Sequence, residues 1–169
     1  KDLMYIDVQS MYPNIILNYD LYSRSITRKD VYMKWVRDRE QAKVNGDKVK
    51  DAELKLKINS VYGLMKSEYC PLYDPYMASS IAVMGQVLMT ILIGGLYSTG
   101  CRIVNANTDG LIIEPAGNWR NICEQWEAQT GLKLTFKTIA ELEQANVNNY
   151  RATMSDGTVI NKGEKFKQG

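Results

Sequence analysis

Two aspartates, Asp7 and Asp109, are the residues of this 169-residue chain that could carry out chemistry together. Asp7 ends a short apolar run, where a carboxylate is costly unless it is paired or bound to a metal ion. Asp109 lies in Asn107-Thr108-Asp109-Gly110, between two segments rich in β-branched residues, where a tight turn would hold it rigidly. The pair could bind a metal ion, but a plain hairpin turn and a solvated strand end fit the same residues.

The elements that must position these aspartates are a buried strand over 3–8 and a hairpin over 102–113. The pattern also predicts a helix start near Ser10 and Pro13, and a helix over 28–45 with Thr27 as its N-cap. The remaining predicted elements are helices over 48–65, 75–97 and 119–129, and strands over 132–139, 147–154 and 159–161. The predicted fold class is α+β, with helices packed on one face of an antiparallel sheet. The helix over 75–97 is apolar on most sides, so we expect it to be the main core helix.

Composition excludes several kinds of site. The chain has no histidine, so a His general base, a Ser-His triad and a His-ligated metal are excluded. The three cysteines form no CxxC pair, which argues against a zinc site or a disulfide framework. The net charge of +2 does not by itself indicate a nucleic-acid partner.

The apolar run over 81–96 is short for a membrane span, and no signal peptide is recognisable. The chain begins on a strand without Met, which we interpret as an excerpt from a longer protein.

The two predicted helices over 28–45 and 48–65 form a helical hairpin with a short turn. Lys55, Asn59, Tyr62 and Gly63 fall on one face of the second helix, an unusual set for a core face. Gly63 costs about 1 kcal/mol relative to alanine in a helix, which favours close approach of another group. On the first helix, Arg39 and Lys43 share a face that could equally be a solvated surface.

Three ordered motifs together resemble those of the family B DNA polymerases. Asp7-Val8-Gln9-Ser10-Met11-Tyr12-Pro13 is similar to motif A, and Lys55-x-x-x-Asn59-Ser60-Val61-Tyr62-Gly63 is similar to motif B. Asn107-Thr108-Asp109-Gly110 resembles motif C. The segments Asn148-Asn149-Tyr150, Asp156-Gly157 and Lys162-Gly163 together resemble the strand pair that follows it. The Asn-Thr-Asp-Gly sequence and the short spacing between motifs A and B resemble a phage or prophage branch.

This resemblance implies a polymerase palm over residues 1–18 and 67–169, with a helical-hairpin fingers subdomain inserted over 19–66. It implies a DNA-directed DNA polymerase core in which Asp7, Val8 and Asp109 hold two Mg²⁺ ions, which Mn²⁺ can replace. Asp7, Asp109 and Lys55 are the implied catalytic residues. The implied partners are primer-template DNA and dNTPs, together with exonuclease, N-terminal and thumb regions that this chain lacks. No membrane is implied, and the expected location is the cytoplasm of a phage-infected or prophage-carrying bacterium.

The resemblance also assigns roles in substrate binding. The implied nucleotide-binding residues are Ser10, Met11, Tyr12, Arg39, Lys43, Asn59, Tyr62 and Gly63. Among them, Tyr12 would lie against the sugar and exclude a 2′-hydroxyl. The implied DNA-binding residues are Thr108, Asn149 and Tyr150.

Two departures from the family pattern leave other interpretations open. Asn107 replaces an aspartate of motif C, so the site loses a negative charge, although Asn107 can instead hold the turn by local hydrogen bonds. Asn148 and Asn149 replace lysines that grip the primer strand. A non-catalytic polymerase relic that only binds nucleic acid is therefore one alternative. A related reverse transcriptase or priming polymerase on a similar palm is another.

Overall fold

The computed structural model describes residues 3–164 as two compact units. Among the described residues, the sheet unit comprises 3–9 and 86–164, and the helical unit comprises 10–85. This division differs from the predicted boundaries at 18/19 and 66/67, because the first helix after motif A and the start of the long helix group with the helical hairpin. The last five residues, part of the lysine-rich tail, lie outside the described residues.

Six antiparallel strands form the sheet in the order β2-β3-β1-β4-β5-β6. Their bounds are β1 Leu3–Val8, β2 Arg102–Ala106, β3 Gly110–Glu114, β4 Leu134–Asn146, β5 Asn149–Met154 and β6 Val159–Lys162. The strand β1 is central because it pairs with β3 on one side and β4 on the other. Asp7 lies opposite Gly110 of β3 and Thr135 of β4. The predicted strand over 3–8 and the hairpin over 102–113 are confirmed.

Five helices complete the described chain: α1 Met11–Asn18, α2 Lys29–Val44, α3 Lys48–Leu64, α4 Pro75–Ser98 and α5 Trp119–Thr130. Their ends follow local chemistry. Asp47 caps α3 by accepting a hydrogen bond from the Lys50 N–H, and Gly131 ends α5 at a φ of 70°, which suits glycine. The mixed α+β fold class with an antiparallel sheet is confirmed.

Two element predictions need correction. The N-cap of α2 is Arg28 rather than Thr27, and its side chain makes no capping bond, because it pairs with Asp30 instead. The strand predicted to end at residue 139 continues to Asn146 as β4. Its second half has poor strand composition, and pairing with β5 compensates for this.

The helix α4 is only partly a core helix. Ile81, Leu92 and Leu96 on it are at most 1% exposed, whereas Val83, Val87 and Ile91 are about half exposed. Only 33% of its most apolar stretch is buried, although by length and composition it could cross a membrane. Core helices of folded domains meet the same criteria, so these features alone do not make it a membrane span. The stripe of Val83, Val87 and Ile91 is therefore apolar surface that packing within residues 3–164 leaves uncovered.

Asp74 stabilises the helical unit by capping α4 and binding Arg24. Its carboxylate accepts hydrogen bonds from the Arg24 backbone N–H and guanidinium, and from the Met77 N–H. These bonds, led by the guanidinium, hold the pKa of Asp74 well below its usual range. The carboxylate itself is 2% exposed.

We expect Asp74→Ala to lower the melting temperature measurably, because it removes an N-cap, which alone contributes about 1 kcal/mol, and orphans Arg24. Since the folded pKa is depressed, the stabilisation is present above the unfolded pKa of about 4 and is lost as pH falls through the lower folded value. Thermal unfolding followed by circular dichroism at pH 7 and pH 3 tests both points. Asp30→Ala, at an exposed ion pair, is the control; an equal loss in both variants would contradict the role of Asp74.

Candidate active site

Asp7 lies on β1, and Asp109 lies in the turn that joins β2 to β3. The Val8 N–H donates to the Asp109 carbonyl at 2.8 Å, which joins the end of β1 to the turn between β2 and β3. Asp7 is half-buried and Asp109 is exposed. Val8 is 2% exposed as a whole residue, and its backbone N–H is engaged by the Asp109 carbonyl.

Asn107 holds the turn that presents Asp109. Its side-chain Oδ1 accepts hydrogen bonds from the N–H groups of Asp109 at 3.3 Å and Gly110 at 3.0 Å. Its backbone N–H donates to the Gly110 carbonyl at 2.9 Å. The predicted local hydrogen bonding of Asn107 is therefore confirmed. An aspartate at this position would offer the same acceptor, so the turn does not require asparagine.

A tyrosine supports Asp7 from the same strand. The Tyr5 hydroxyl donates to Asp7 Oδ1 at 3.1 Å. Gly110 makes room for this tyrosine, because a Cβ there would lie 3.0 Å from the Tyr5 hydroxyl. Tyr150 in turn hydrogen-bonds through its side chain with Tyr5 and Asn107. The sequence analysis singled out neither Tyr5 nor this network, since the signal lies in strand pairing rather than in sequence spacing.

The environment of Asp7 disfavours its charge. Burial raises the pKa of Asp7, and the negative charge of Asp109 raises it further. The hydrogen bond from Tyr5 and the charges of Lys162 and Lys137 act in the opposite direction. A divalent cation between two carboxylates would relieve this repulsion, so the donor set fits a hard cation with oxygen ligands. No cluster of three or more His, Cys, Asp or Glu side chains is found within residues 3–164.

We expect metal binding to weaken as the pH falls through the raised pKa of Asp7, by about tenfold per pH unit for one coupled proton. Because the pKa is raised, this loss begins above the ordinary aspartate range near pH 4. Calorimetric titration with Mn²⁺ between pH 5 and pH 8 measures it. Tyr5→Phe should move the midpoint upward, since the Tyr5 hydrogen bond lowers the pKa of Asp7. A midpoint unchanged by Tyr5→Phe would contradict this coupling.

The three predicted DNA-binding residues lie in three different environments. Thr108 is exposed on the turn. The Asn149 side chain donates to Asn146 Oδ1 at 3.0 Å within the turn from β4 to β5. Tyr150 is 1% exposed and belongs to an apolar cluster with Ile139. The prediction that Tyr150 contacts DNA directly does not agree with this burial, and its hydroxyl instead supports Tyr5 and Asn107.

Two lysines to which the sequence analysis gave no role lie on strands beside the carboxylates. Lys137 of β4 is opposite Tyr5, and Lys162 of β6 is opposite Tyr150. Both are half-buried, and both act electrostatically on Asp7. Side chains alternate between the two faces of a strand, so the sequence shows which residues of β4 share a face. It does not show which of them lies opposite Tyr5, because that depends on the register between β1 and β4.

The helical unit presents an aromatic stack built from motifs A and B. The rings of Tyr12 and Tyr62 stack with centroids 4.4 Å apart, and the Lys66 ammonium lies 4.2 Å from the Tyr62 ring centroid. Gly85 of α4 permits this placement, because a Cβ there would lie 2.9 Å from Met11 Cε and 3.4 Å from Tyr12. The structure thus brings Met11, Tyr12 and Tyr62 together.

The predicted cation Arg39 is engaged within the helical unit. It is buried, its Nε donates to Asp51 at 2.8 Å, and its Nη1 donates to Ser10 Oγ at 2.8 Å. Ser10 itself adopts a left-handed conformation with φ of 47°. Arg39 therefore ties α2 to α3 and to the motif A turn, and its expected role as an open triphosphate ligand does not agree with this pairing.

Other predicted nucleotide-binding residues are open to solvent. Lys43, Lys55, Asn59 and Gly63 are all exposed. A Cβ at Gly63 would meet nothing within 4 Å, so packing within residues 3–164 does not explain the glycine. Lys55 and Asn59 are thus available to a ligand that needs a cation and an amide, whereas the neighbouring Tyr62 is half-buried against Tyr12 and Lys66.

Comparisons with known proteins agree on one class. No family model matches the chain. The structure matches the family B DNA polymerase of the archaeon Pyrobaculum calidifontis with a TM-score of 0.75 and 17% identity, over 96% of this chain and 27% of that one. The fold is therefore that of a family B DNA polymerase.

Two curated proteins are similar to this chain in sequence. The chain is 29% identical to DNA polymerase 1 of Saccharolobus solfataricus over 135 residues, and 29% identical to DNA polymerase II of Escherichia coli K12 over 75 residues. These alignments cover 76% and 44% of this chain but only 15% and 10% of the relatives. Fold and sequence together support a segment of a family B DNA polymerase.

Proposed function

We propose that this chain is the catalytic segment of a DNA-directed DNA polymerase that transfers a nucleotide from a dNTP to the 3′ end of a primer. The observation that carries the proposal is that the turn holding Asp109 is hydrogen-bonded to β1 directly after Asp7, through the Val8 N–H and the Asp109 carbonyl. Similarity to two DNA polymerases supports the same reaction. In that reaction the primer 3′ oxygen bonds to the α-phosphorus, the bond to pyrophosphate breaks, and the hydroxyl proton passes to solvent.

The carboxylates of the sheet unit would hold the metal ions. Asp7, Asp109 and the Val8 backbone are the groups that would bind two Mg²⁺ ions, which Mn²⁺ can replace. When bound, the ions neutralise phosphate charge and make the primer hydroxyl a better nucleophile. Tyr5 would hold Asp7 in a fixed orientation, and Asn107 would fix the backbone that carries Asp109.

The helical unit would bind the dNTP. The exposed ammonium of Lys55 would supply a charge-assisted hydrogen bond for the triphosphate, and the exposed Lys43 of α2 would add a second positive charge. Tyr12, held by Tyr62 and Gly85, would limit the space for a 2′-hydroxyl. The open surface at Asn59 and Gly63 would accept the base pair. Arg39 would contribute by holding Ser10 and α3 in place.

The sheet unit would also contact the primer strand. Thr108 and Asn149 offer uncharged polar groups. They would therefore bind primer phosphates less strongly than lysines at these positions would. Lys137 and Lys162 provide positive charge on the sheet beside Asp7. We propose that these two lysines bind primer phosphates, which would give a salt-dependent component to DNA affinity.

Single-nucleotide primer extension with Mg²⁺ and a matched dNTP tests the proposal. We expect one nucleotide to be added, only with the templated dNTP and only with a divalent metal. Extension with NTPs at equal efficiency would instead favour a priming polymerase, in conflict with the role of Tyr12. Extension on an RNA template alone would favour a reverse transcriptase.

A polymerase relic that binds nucleic acid without turnover is the second candidate. It is favoured by Asn107, which leaves the motif C turn with one carboxylate, Asp109. Binding of primer-template DNA without extension, followed by extension after Asn107→Asp, would identify the relic. Because Asn107 and aspartate offer the same acceptor to the turn, this substitution should preserve the fold.

A further inference from the structure

Asn105 is a buried polar residue on β2, in the hairpin that carries Asp109. It is 4% exposed, and its side-chain Nδ2 donates a hydrogen bond to the Val147 carbonyl at 3.3 Å. Val147 lies in the short turn between β4 and β5, beside Asn149. Asn105 therefore joins the hairpin that carries Asp109 to the turn that carries Asn149.

This contact is made between parts of the sheet that are not neighbours. The strand order places β3 and β1 between β2 and the β4–β5 hairpin. The two parts meet because the sheet folds back over itself. Ile112 of β3 packs in one apolar cluster with Tyr150 of β5, and the Tyr150 side chain also hydrogen-bonds with Asn107. The β2–β3 hairpin thus holds the β4–β5 hairpin at two points, Tyr150 and Val147.

The stability of the core does not explain a polar residue at position 105. The Oδ1 of Asn105 is buried and makes no hydrogen bond within residues 3–164. A buried acceptor without a partner lowers stability, and an apolar side chain opposite Ile112 would avoid this cost. The turn that Asn105 holds adds little packing, since Val147 is 44% exposed. Asn105 therefore fixes the place of an exposed turn at some cost in stability.

The β4–β5 turn is internally constrained. Asn146 Oδ1 accepts hydrogen bonds from the Asn148 N–H and the Asn149 Nδ2, both at 3.0 Å. Gly163 packs closely against the turn, because a Cβ there would overlap the Asn148 carbonyl and the Asn149 side chain. A constrained turn moves as one body, so one hydrogen bond to β2 affects the position of the whole turn.

We propose that Asn105 is a positioning residue that sets the distance between the turn carrying Asn149 and the turn carrying Asp109. A primer strand bound at the first turn then has its 3′ end placed at the carboxylates. Asn105 acts through the Val147 backbone and not on a substrate. The inference rests on the proposed function, which assigns primer contact to the turn at Asn149.

Asn105→Leu tests the proposal, because it removes the hydrogen bond and the unpartnered acceptor together and keeps a side chain branched at the same carbon. We expect little change in melting temperature, since the freed Val147 carbonyl lies on an exposed turn where water can replace the lost donor. Hydrogen exchange at the Asn148 amide should become faster, while exchange in β1 and β3 stays unchanged. In primer extension, the KM for primer-template DNA should rise by about threefold to tenfold, the factor that one hydrogen bond corresponds to, and the KM for the dNTP should not change.

Val104→Ala is the matched control, because Val104 precedes Asn105 on β2 and packs against the cluster that contains Ile112. It should lower the melting temperature and leave the KM for primer-template DNA unchanged. Asn105→Ala replaces Asn105→Leu if the leucine variant does not fold, because it removes the same donor without adding volume.

Three results would overturn the proposal: unchanged exchange at Asn148 in a folded variant at position 105, an unchanged KM for primer-template DNA, or an equal rise of that KM in Val104→Ala. If the wild type binds primer-template DNA without extending it, the proposed function fails. The role of Asn105 is then decided by the exchange rate together with DNA affinity from fluorescence anisotropy, which should fall in Asn105→Leu and not in Val104→Ala.

Discussion

Asp109→Asn abolishes nucleotide incorporation while DNA binding persists. The substitution keeps the size of the side chain but removes the only carboxylate of the motif C turn. The turn itself survives, because the hydrogen bonds that shape it come from Asn107 and the backbone. Metal ions contribute several kcal/mol of charge stabilisation in such reactions, and about 1.4 kcal/mol corresponds to tenfold in rate. We therefore expect a loss of about 100-fold to 1,000-fold or more in single-turnover primer extension.

Two further variants make this result interpretable. Asp20→Asn removes an exposed carboxylate that pairs with Lys29, and it should leave extension unchanged. Mn²⁺ calorimetry on Asp109→Asn should show weakened metal binding at unchanged melting temperature. Full activity of Asp109→Asn would contradict the proposed metal role. A parallel loss of folding, metal binding and DNA affinity would indicate a structural role instead.

Lys55→Ala lowers the catalytic efficiency for the dNTP by about 10-fold to 100-fold, because a charge-assisted hydrogen bond contributes roughly 1.5–3 kcal/mol. The exposed ammonium of Lys55 is the group of motif B that can neutralise a phosphate. Steady-state extension at varied dNTP concentration measures the change in kcat/KM. The salt dependence of dNTP binding should also become shallower, since one cation is lost.

Lys57→Ala is the matched control for this prediction. Lys57 lies on the same helix two residues away from Lys55, and it pairs with Glu53. Its removal should leave kcat/KM nearly unchanged. If Lys57→Ala reduced efficiency as much as Lys55→Ala, the effect would come from the overall charge of α3 rather than from phosphate recognition.

Many of the strand, turn and helix boundaries follow from interactions between residues that are close in the sequence. The apolar run that ends at Asp7 forms β1, and the turn residues from Asn107 to Gly110 form the hairpin. Asp47 and Gly131 mark helix ends because capping depends on residues within one turn. Each of these features is decided by neighbours in sequence, so no tertiary information is needed to predict it.

The sequence by itself determined the carboxylates, the turn that carries Asp109, and the exposed face of Lys55. Only the tertiary structure decided that Arg39 is paired with Asp51, that Tyr150 is buried, and that Lys137 and Lys162 lie on strands beside Asp7. The physical reason is that these outcomes depend on strand register and on helix packing. Both are set by contacts between residues that are distant in the chain, and residue type and local spacing do not specify them.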